Sequence, residues 1–267
     1  MKYLKKFNQA SEYEAFKVGD EYVLPNVSYV VEGSEVKFDP AVKSLVYNMV
    51  DLGLPSGLLW ADRNVGAESP EDYGLYFQWG DTVGYTADQV TNGEKVFASD
   101  WSDYFDTTDG GSTFNKYAKN KLKVLQPEDD AASVNMGSDW RMPTQAEMQE
   151  LIDNTTVTFI DFQDNEFSES DVYDMEYNNL KYIKFTGSNN NSIFIPASGY
   201  CLDSKCYCAN PQSKDIYSTV SIWLSDLYEN RYETGESYNL NFNFDTGLYI
   251  YYSSRWIGYS IRGVKSK

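Results

Sequence analysis

Polar and apolar residues alternate with a period of two through SYNLNFNFDTG, where Leu240, Phe242 and Phe244 interleave with Asn239, Asn241 and Asn243. Successive side chains of a strand point to opposite faces, so the pattern predicts a strand with a core side and an Asn-rich display side. The neighbouring runs SIWLSD, LYIYY and WIGYSIRGV read as further strands, with a turn at Asp245-Thr246-Gly247. NLKYIKFTG and NSIFIPASG flank Ser188 to Asn191 and predict a hairpin.

Helical periodicity is sparser. In PTQAEMQELI, Thr144 is a natural N-cap, Glu147 completes a capping box, and Met148, Leu151 and Ile152 form the apolar stripe. A second, short helix is expected over FNKYAKNKLKVL, where Tyr117, Leu122 and Leu125 can share a side. Residues 84–112 are polar, with turn signals at Asn92-Gly93 and Asp109-Gly110-Gly111, and read as a long surface loop. Toward the amino terminus, EYVLPNVSYVV and SEVKFDP meet through Glu32, Gly33 and Ser34 and predict a β-hairpin. So small an arm buries too little apolar surface to be secure alone, so it is expected to pack on a partner or on the main domain. The reading is a β arm over 1–48 followed by a compact, loop-rich α+β domain over 49–267.

Charge and composition narrow the chemistry. Twenty-two Lys and Arg against 40 Asp and Glu leave a net charge of −18, which repels phosphate backbones and anionic membranes, so no nucleic acid partner is expected. Histidine is absent, which excludes Ser-His-Asp and Cys-His catalysis and His-ligated metal sites. MKYLKKFNQASEYEAF carries early lysines without an apolar run of signal-peptide length, and nothing in the chain is long and apolar enough to span a bilayer. Neither a secretory signal nor membrane insertion is expected. The 23 tyrosines exceed what a plain cytosolic enzyme needs and favour β structure with exposed rings.

Several motifs in one order resemble the Fibrobacter succinogenes major paralogous domain family. They are DLGLPSGLLWADRNVGAESPEDYGLYFQWGDT, LQPEDDAASVNMGSDWRMPTQAEMQELID, NSIFIPASGY, SIWLSD and RWIGYSIRGV, and together they cover about residues 50–264. The resemblance implies a C-type-lectin-like domain, related to the formylglycine-generating-enzyme fold, whose last strands carry a variable surface. The opening stretch YLKKFNQASEYEAFKVGDEYVLPNVSYV is similar to the start of structural proteins from crAss-like gut bacteriophages. Together the two resemblances imply a protein made in the host cytoplasm and carried on the virion surface, its arm anchored on capsid or tail proteins.

Most striking residue types have a plain reading. Trp60, Trp79, Trp140 and Trp223 are expected in the core, with Arg63, Arg141 and Arg262 satisfying buried carbonyls or carboxylates. Gln126-Pro127-Glu128 resembles the calcium and sugar motif of carbohydrate-binding C-type lectins, but a cluster of acids at a helix start accounts for it as well or better. Cys201 and Cys206 have the spacing of the catalytic pair in formylglycine-generating enzymes, yet lie elsewhere in the motif order. With Cys208 making an odd number, they are expected to be exposed free thiols. No catalytic residue, metal or cofactor is expected.

The expected ligand-binding residues are Tyr228, Asn230, Tyr232, Tyr238, Asn239, Asn241, Asn243, Tyr249, Tyr251, Tyr252 and Trp256. Tyr supplies large amphipathic contact area at small entropic cost, and Asn both donates and accepts hydrogen bonds. Asn, Tyr, Ser and Asp are also single-base neighbours through the Asn codon AAY, the pattern that adenine-directed diversification leaves in lectin-like variable proteins. The expected function is a non-enzymatic virion decoration, head fibre or tail protein, binding a host glycan or protein as a homo-oligomer such as a trimer. A bacterial adhesin of the same fold, a purely structural capsid cement and a glycan-cleaving enzyme are the rival readings.

Overall fold

The computed structural model describes residues 16–18, 21–23, 29–32, 35–38, 47–97, 105–106, 113–114, 116–118, 121–210, 212, 218–229 and 235–267. Among the described residues strand outweighs helix, 38% to 12%, which suits an α+β or a mainly-β architecture. The chain opens with β1 (Phe16–Val18), β2 (Glu21–Val23), β3 (Tyr29–Glu32), β4 (Glu35–Phe38), β5 (Met49–Asp51) and β6 (Leu59–Asn64). Then come α1 (Ala87–Thr91), β7 (Phe105–Asp106), β8 (Thr113–Phe114), α2 (Ala131–Met136), α3 (Gln145–Asp153), β9 (Thr156–Asp161) and β10 (Glu166–Phe167). Next are β11 (Leu180–Thr186), β12 (Ser192–Pro196), β13 (Cys201–Leu202) and β14 (Lys205–Cys206). The last strands are β15 (Val220–Leu227), β16 (Glu236–Asn243), β17 (Gly247–Ser254) and β18 (Arg262–Lys265).

Three sheets build the body, in strand orders β10-β9-β11-β12, β18-β6-β5 and β15-β16-β17. In the arm, β3 and β4 pair antiparallel on either side of the expected turn, and β1 pairs with β2. The expected hairpin at Ser188 to Asn191 joins β11 to β12. Residues 257–264 tie the sheets together. Phe77 and Tyr259 exchange backbone hydrogen bonds, as do Cys201 and Gly258, and Arg141 and Val264, while Trp223 N–H donates to the Ser260 carbonyl.

The local signals in the sequence act as expected at α3. Thr144 Oγ1 accepts from Glu147 N–H, the Glu147 carboxylate accepts from Thr144 N–H, and Met148 and Leu151 are buried. Trp60, Trp79 and Trp223 are fully buried, and Trp140 nearly so. Arg262 is wholly buried, donating to Asn64 Oδ1 and to the carbonyls of Ala61 and Phe194, so one guanidinium ties β18, β6 and β12 together. The acids at 128–130 are also engaged: Glu128 and Asp129 pair with Lys116, while Asp130 caps α2 by accepting from Ser133 N–H.

Two expectations need correction. FNKYAKNKLKVL is not helical over its described residues, because 123–125 run extended beside β15. Leu125 N–H donates to the Ser225 carbonyl and Leu227 N–H to the Lys123 carbonyl, and that pairing overrides a modest amphipathic pattern. Nor is 84–112 all surface loop: it contains α1, capped by Thr86, and Phe97 is fully buried.

Candidate functional site

β15, β16 and β17 form an antiparallel meander, and β16 and β17 stay in register through eight consecutive pairs, from Glu236↔Ser254 to Asn243↔Gly247. Alternation assigns the two faces. Val220, Ile222, Leu224, Leu240, Phe242, Leu248 and Ile250 lie on the main core, as the sequence pattern requires. Asn239, Asn241, Asn243, Tyr249 and Tyr251 take the other face, with Tyr249 opposite Asn241 and Tyr251 opposite Asn239.

That second face is only half displayed. Asn239 is fully buried, which corrects its assignment to an open surface. Trp223 stands opposite it in register, and the Trp223 indole packs on Tyr259 at 4.5 Å. The Tyr259 hydroxyl donates to Ser253 Oγ at 2.9 Å, and Ser253 Oγ donates to Asn239 Oδ1 at 3.2 Å. Burial pushes the Tyr259 phenol up to about 12, so it stays a neutral donor.

Beyond this buried end the face opens. Asn241 Nδ2 donates to Ser221 Oγ at 3.4 Å, and Asn243 Nδ2 donates to Asn241 Oδ1 at 3.3 Å. Asn243 Oδ1 accepts from Asp245 N–H, Thr246 N–H and Thr246 Oγ1, which fixes the expected turn. Each amide is therefore held in one orientation. Above this layer Tyr249 and Tyr251 meet edge-on at 5.4 Å, and Tyr251 is 42% exposed.

The remaining expected residues fall elsewhere. Tyr238 and Tyr252 alternate with the Asn row and belong to the core side of the sheet, where Tyr238 packs against the main core. Tyr228 joins them, stacked on Tyr252 at 3.8 Å and edge-on to Tyr238 at 5.3 Å. At the sheet edge, Tyr251 and Tyr252 stack at 4.6 Å with 20° between their planes, which links the two groups. Neighbouring phenols raise both above the ordinary tyrosine range, chiefly Tyr252 acting on Tyr251 and Tyr228 acting on Tyr252. Trp256 sits in the turn after β17, and its carbonyl accepts from Gln78 Nε2. Asn230 and Tyr232 lie outside the described residues.

Sequence reading missed the groups that later and earlier segments bring to this sheet. Tyr200 and Tyr207 stack at 4.8 Å on a small hairpin, and Tyr200 packs in the same cluster as Tyr259 and Trp223. The hairpin is closed by a disulfide between Cys201 and Cys206, which pair across β13 and β14. This overturns the expectation of exposed thiols. Cys201 is fully buried, while Cys208, the free cysteine, is partly buried with Sγ 3.0 Å from the Tyr76 hydroxyl. Burial raises the Cys208 thiol above its ordinary range, which keeps it protonated and unreactive.

Chemically, the face offers neutral donors, neutral acceptors and ring faces, the equipment of recognition. Among the described residues, no group of three or more Cys, Asp or Glu is arranged to hold a metal ion, and no helix is long and apolar enough to cross a membrane. Comparisons with protein-family models, with curated proteins and with solved structures find no match to the chain.

Proposed function

We propose that the chain is a non-enzymatic structural and recognition protein of a bacteriophage virion. In this reading a C-type-lectin-like domain offers the face of β15, β16 and β17 to a glycan of the host surface. One observation carries the recognition half: Asn241, Asn243, Tyr249 and Tyr251 share one face of an unbroken register, with their amides already oriented by a hydrogen-bonded layer. Such preorganisation lowers the ordering cost of binding.

Two features support the lectin-like scaffold. The last strand, β18, returns to pair with β6, and the late strands form a sheet of their own. The motif resemblance over residues 50–264 supports it as well. The likeness of the opening stretch to crAss-like phage structural proteins supports a virion location, with residues 1–48 docking on a capsid or tail protein. A homo-oligomer would add avidity at a repetitive cell surface.

The test is binding of fluorescently labelled protein to bacterial cells that adsorb the virion. Wild type should bind, the Tyr249→Ala/Tyr251→Ala pair should lose most of the signal, and protein lacking 1–48 should bind cells yet leave the particle. Equal binding by the paired variant would sink the recognition reading. Particles that instead break open without this chain, while its purified form ignores cells, would favour the capsid-cement alternative.

A further inference from the structure

Aromatic residues continue past the ends of the Asn row. Tyr173 is 55% exposed, and a Cβ added at Gly247 would meet its hydroxyl at 3.0 Å. Gly247 opens β17, two residues before Tyr249 and four before Tyr251. Tyr177, 56% exposed, stands edge-on to Phe244 at 5.3 Å beside the same turn. At the other end Tyr251 stacks on Tyr252 at the sheet edge, where the rings turn over to the core side. Phenol rings therefore line β17 from Gly247 to Tyr251.

The length of this row constrains what fits it. At a strand rise of about 3.3 Å per residue, Gly247 to Tyr251 alone spans about 13 Å, more than one pyranose ring covers. Its charge constrains the ligand too. β17 carries no ionisable acid or base other than its tyrosines, while Asp174, Glu176 and Asp245 stand around the Tyr173 end in a chain of net charge −18. Anionic sugars are disfavoured there by like-charge repulsion.

We infer that β17 carries an aromatic track for an extended, uncharged polysaccharide segment, read over several consecutive sugar rings, with Tyr173 as a terminal subsite. The inference rests on the glycan reading above and adds the ligand's length, its charge class and a contact outside the late strands. Gly247 belongs to the design. With φ +80° and no side chain, it lets the Tyr173 hydroxyl lie close to the strand, where a Cβ would crowd it.

Binding of the full chain should be measured by calorimetry against neutral gluco-, manno- and galacto-oligosaccharide ladders, from monosaccharide to hexasaccharide. Host capsular polysaccharide graded by size and polygalacturonate complete the probe set. Affinity should rise at least about tenfold between disaccharide and hexasaccharide, with polygalacturonate unbound. Tyr173→Ala, at an exposed position, should remove most of that rise with an unchanged melting temperature and unchanged disaccharide affinity, whereas Tyr251→Ala should weaken every length. Affinity independent of length, or equal loss at all lengths in Tyr173→Ala, overturns the track and leaves glycan binding standing. No binding to any neutral ladder or host polysaccharide overturns both.

Discussion

Asn239 and Asn241 sit two residues apart on the same strand face, yet their side chains have different work. Asn239 is the buried acceptor at the end of the Tyr259–Ser253 chain of hydroxyls, so Asn239→Ala leaves Ser253 without its acceptor under a close-packed indole. That should cost about 1–3 kcal/mol of stability, read as a shifted denaturant midpoint. Tyr251→Ala, at a 42% exposed position, should stay within about 0.5 kcal/mol of wild type while cell binding falls. The reverse pattern, a stable Asn239→Ala that no longer binds, would contradict the split between buried and open halves. Strand alternation placed both residues on one face, but it carries no information on what covers that face. The cover comes from Trp223 and Tyr259, sixteen residues before Asn239 and twenty after it.

At the scale of elements, what was legible was local. The capping box at Thr144 and Glu147, the turn after Phe244 and the hairpin at Ser188 to Asn191 are each specified within a few residues, and each forms. What the sequence left open was decided by distant partners. The stretch 123–125 becomes extended because β15 offers it backbone groups, and Phe97 is buried because Asp203 and Gly258 pack around it. The Tyr200–Tyr207 hairpin was illegible for a further reason: an odd cysteine count gives no pairing, and only the ladder of β13 and β14 brings Cys201 opposite Cys206. Closing so short a loop constrains the unfolded chain modestly. The Cys201→Ser/Cys206→Ser pair should lose about 2 kcal/mol, and wild type treated with a reducing agent should match it in thermal melts. Identical melts for oxidised wild type and the double serine variant would show that the bond does nothing for the fold.

For the whole molecule, the buried tyrosines dominate the alkaline response. Burial raises both Tyr73 and Tyr259 to about 12, against about 10 for an exposed phenol. The native state keeps protons that the unfolded chain releases in that interval, so their contribution is complete below pH about 10 and is lost as pH climbs toward about 12. Burial pushes Arg262 the other way, but its guanidinium donates to Asn64 Oδ1 and two carbonyls and keeps its charge, so it offsets little of this loss. Tyr76 and Tyr117, both fully buried, are raised as well, so melting temperature should fall across pH about 10 to 12, and the phenolate absorbance left after the exposed tyrosines have titrated should appear together with unfolding. Ionisation of every tyrosine, the buried ones included, in a chain that keeps its fold would refute the assignment.

The eight unbroken pairs between β16 and β17 also set a rule for change in length. One residue inserted between Ile250 and Tyr251 would swing Tyr251 through the sheet to the apolar side and bring a neighbour into its place, whereas two would leave it facing outward. Substitution can repaint this strand one position at a time. Insertion and deletion within it must run in even steps, so the descendants of such a chain should vary freely in letters and only by twos in count.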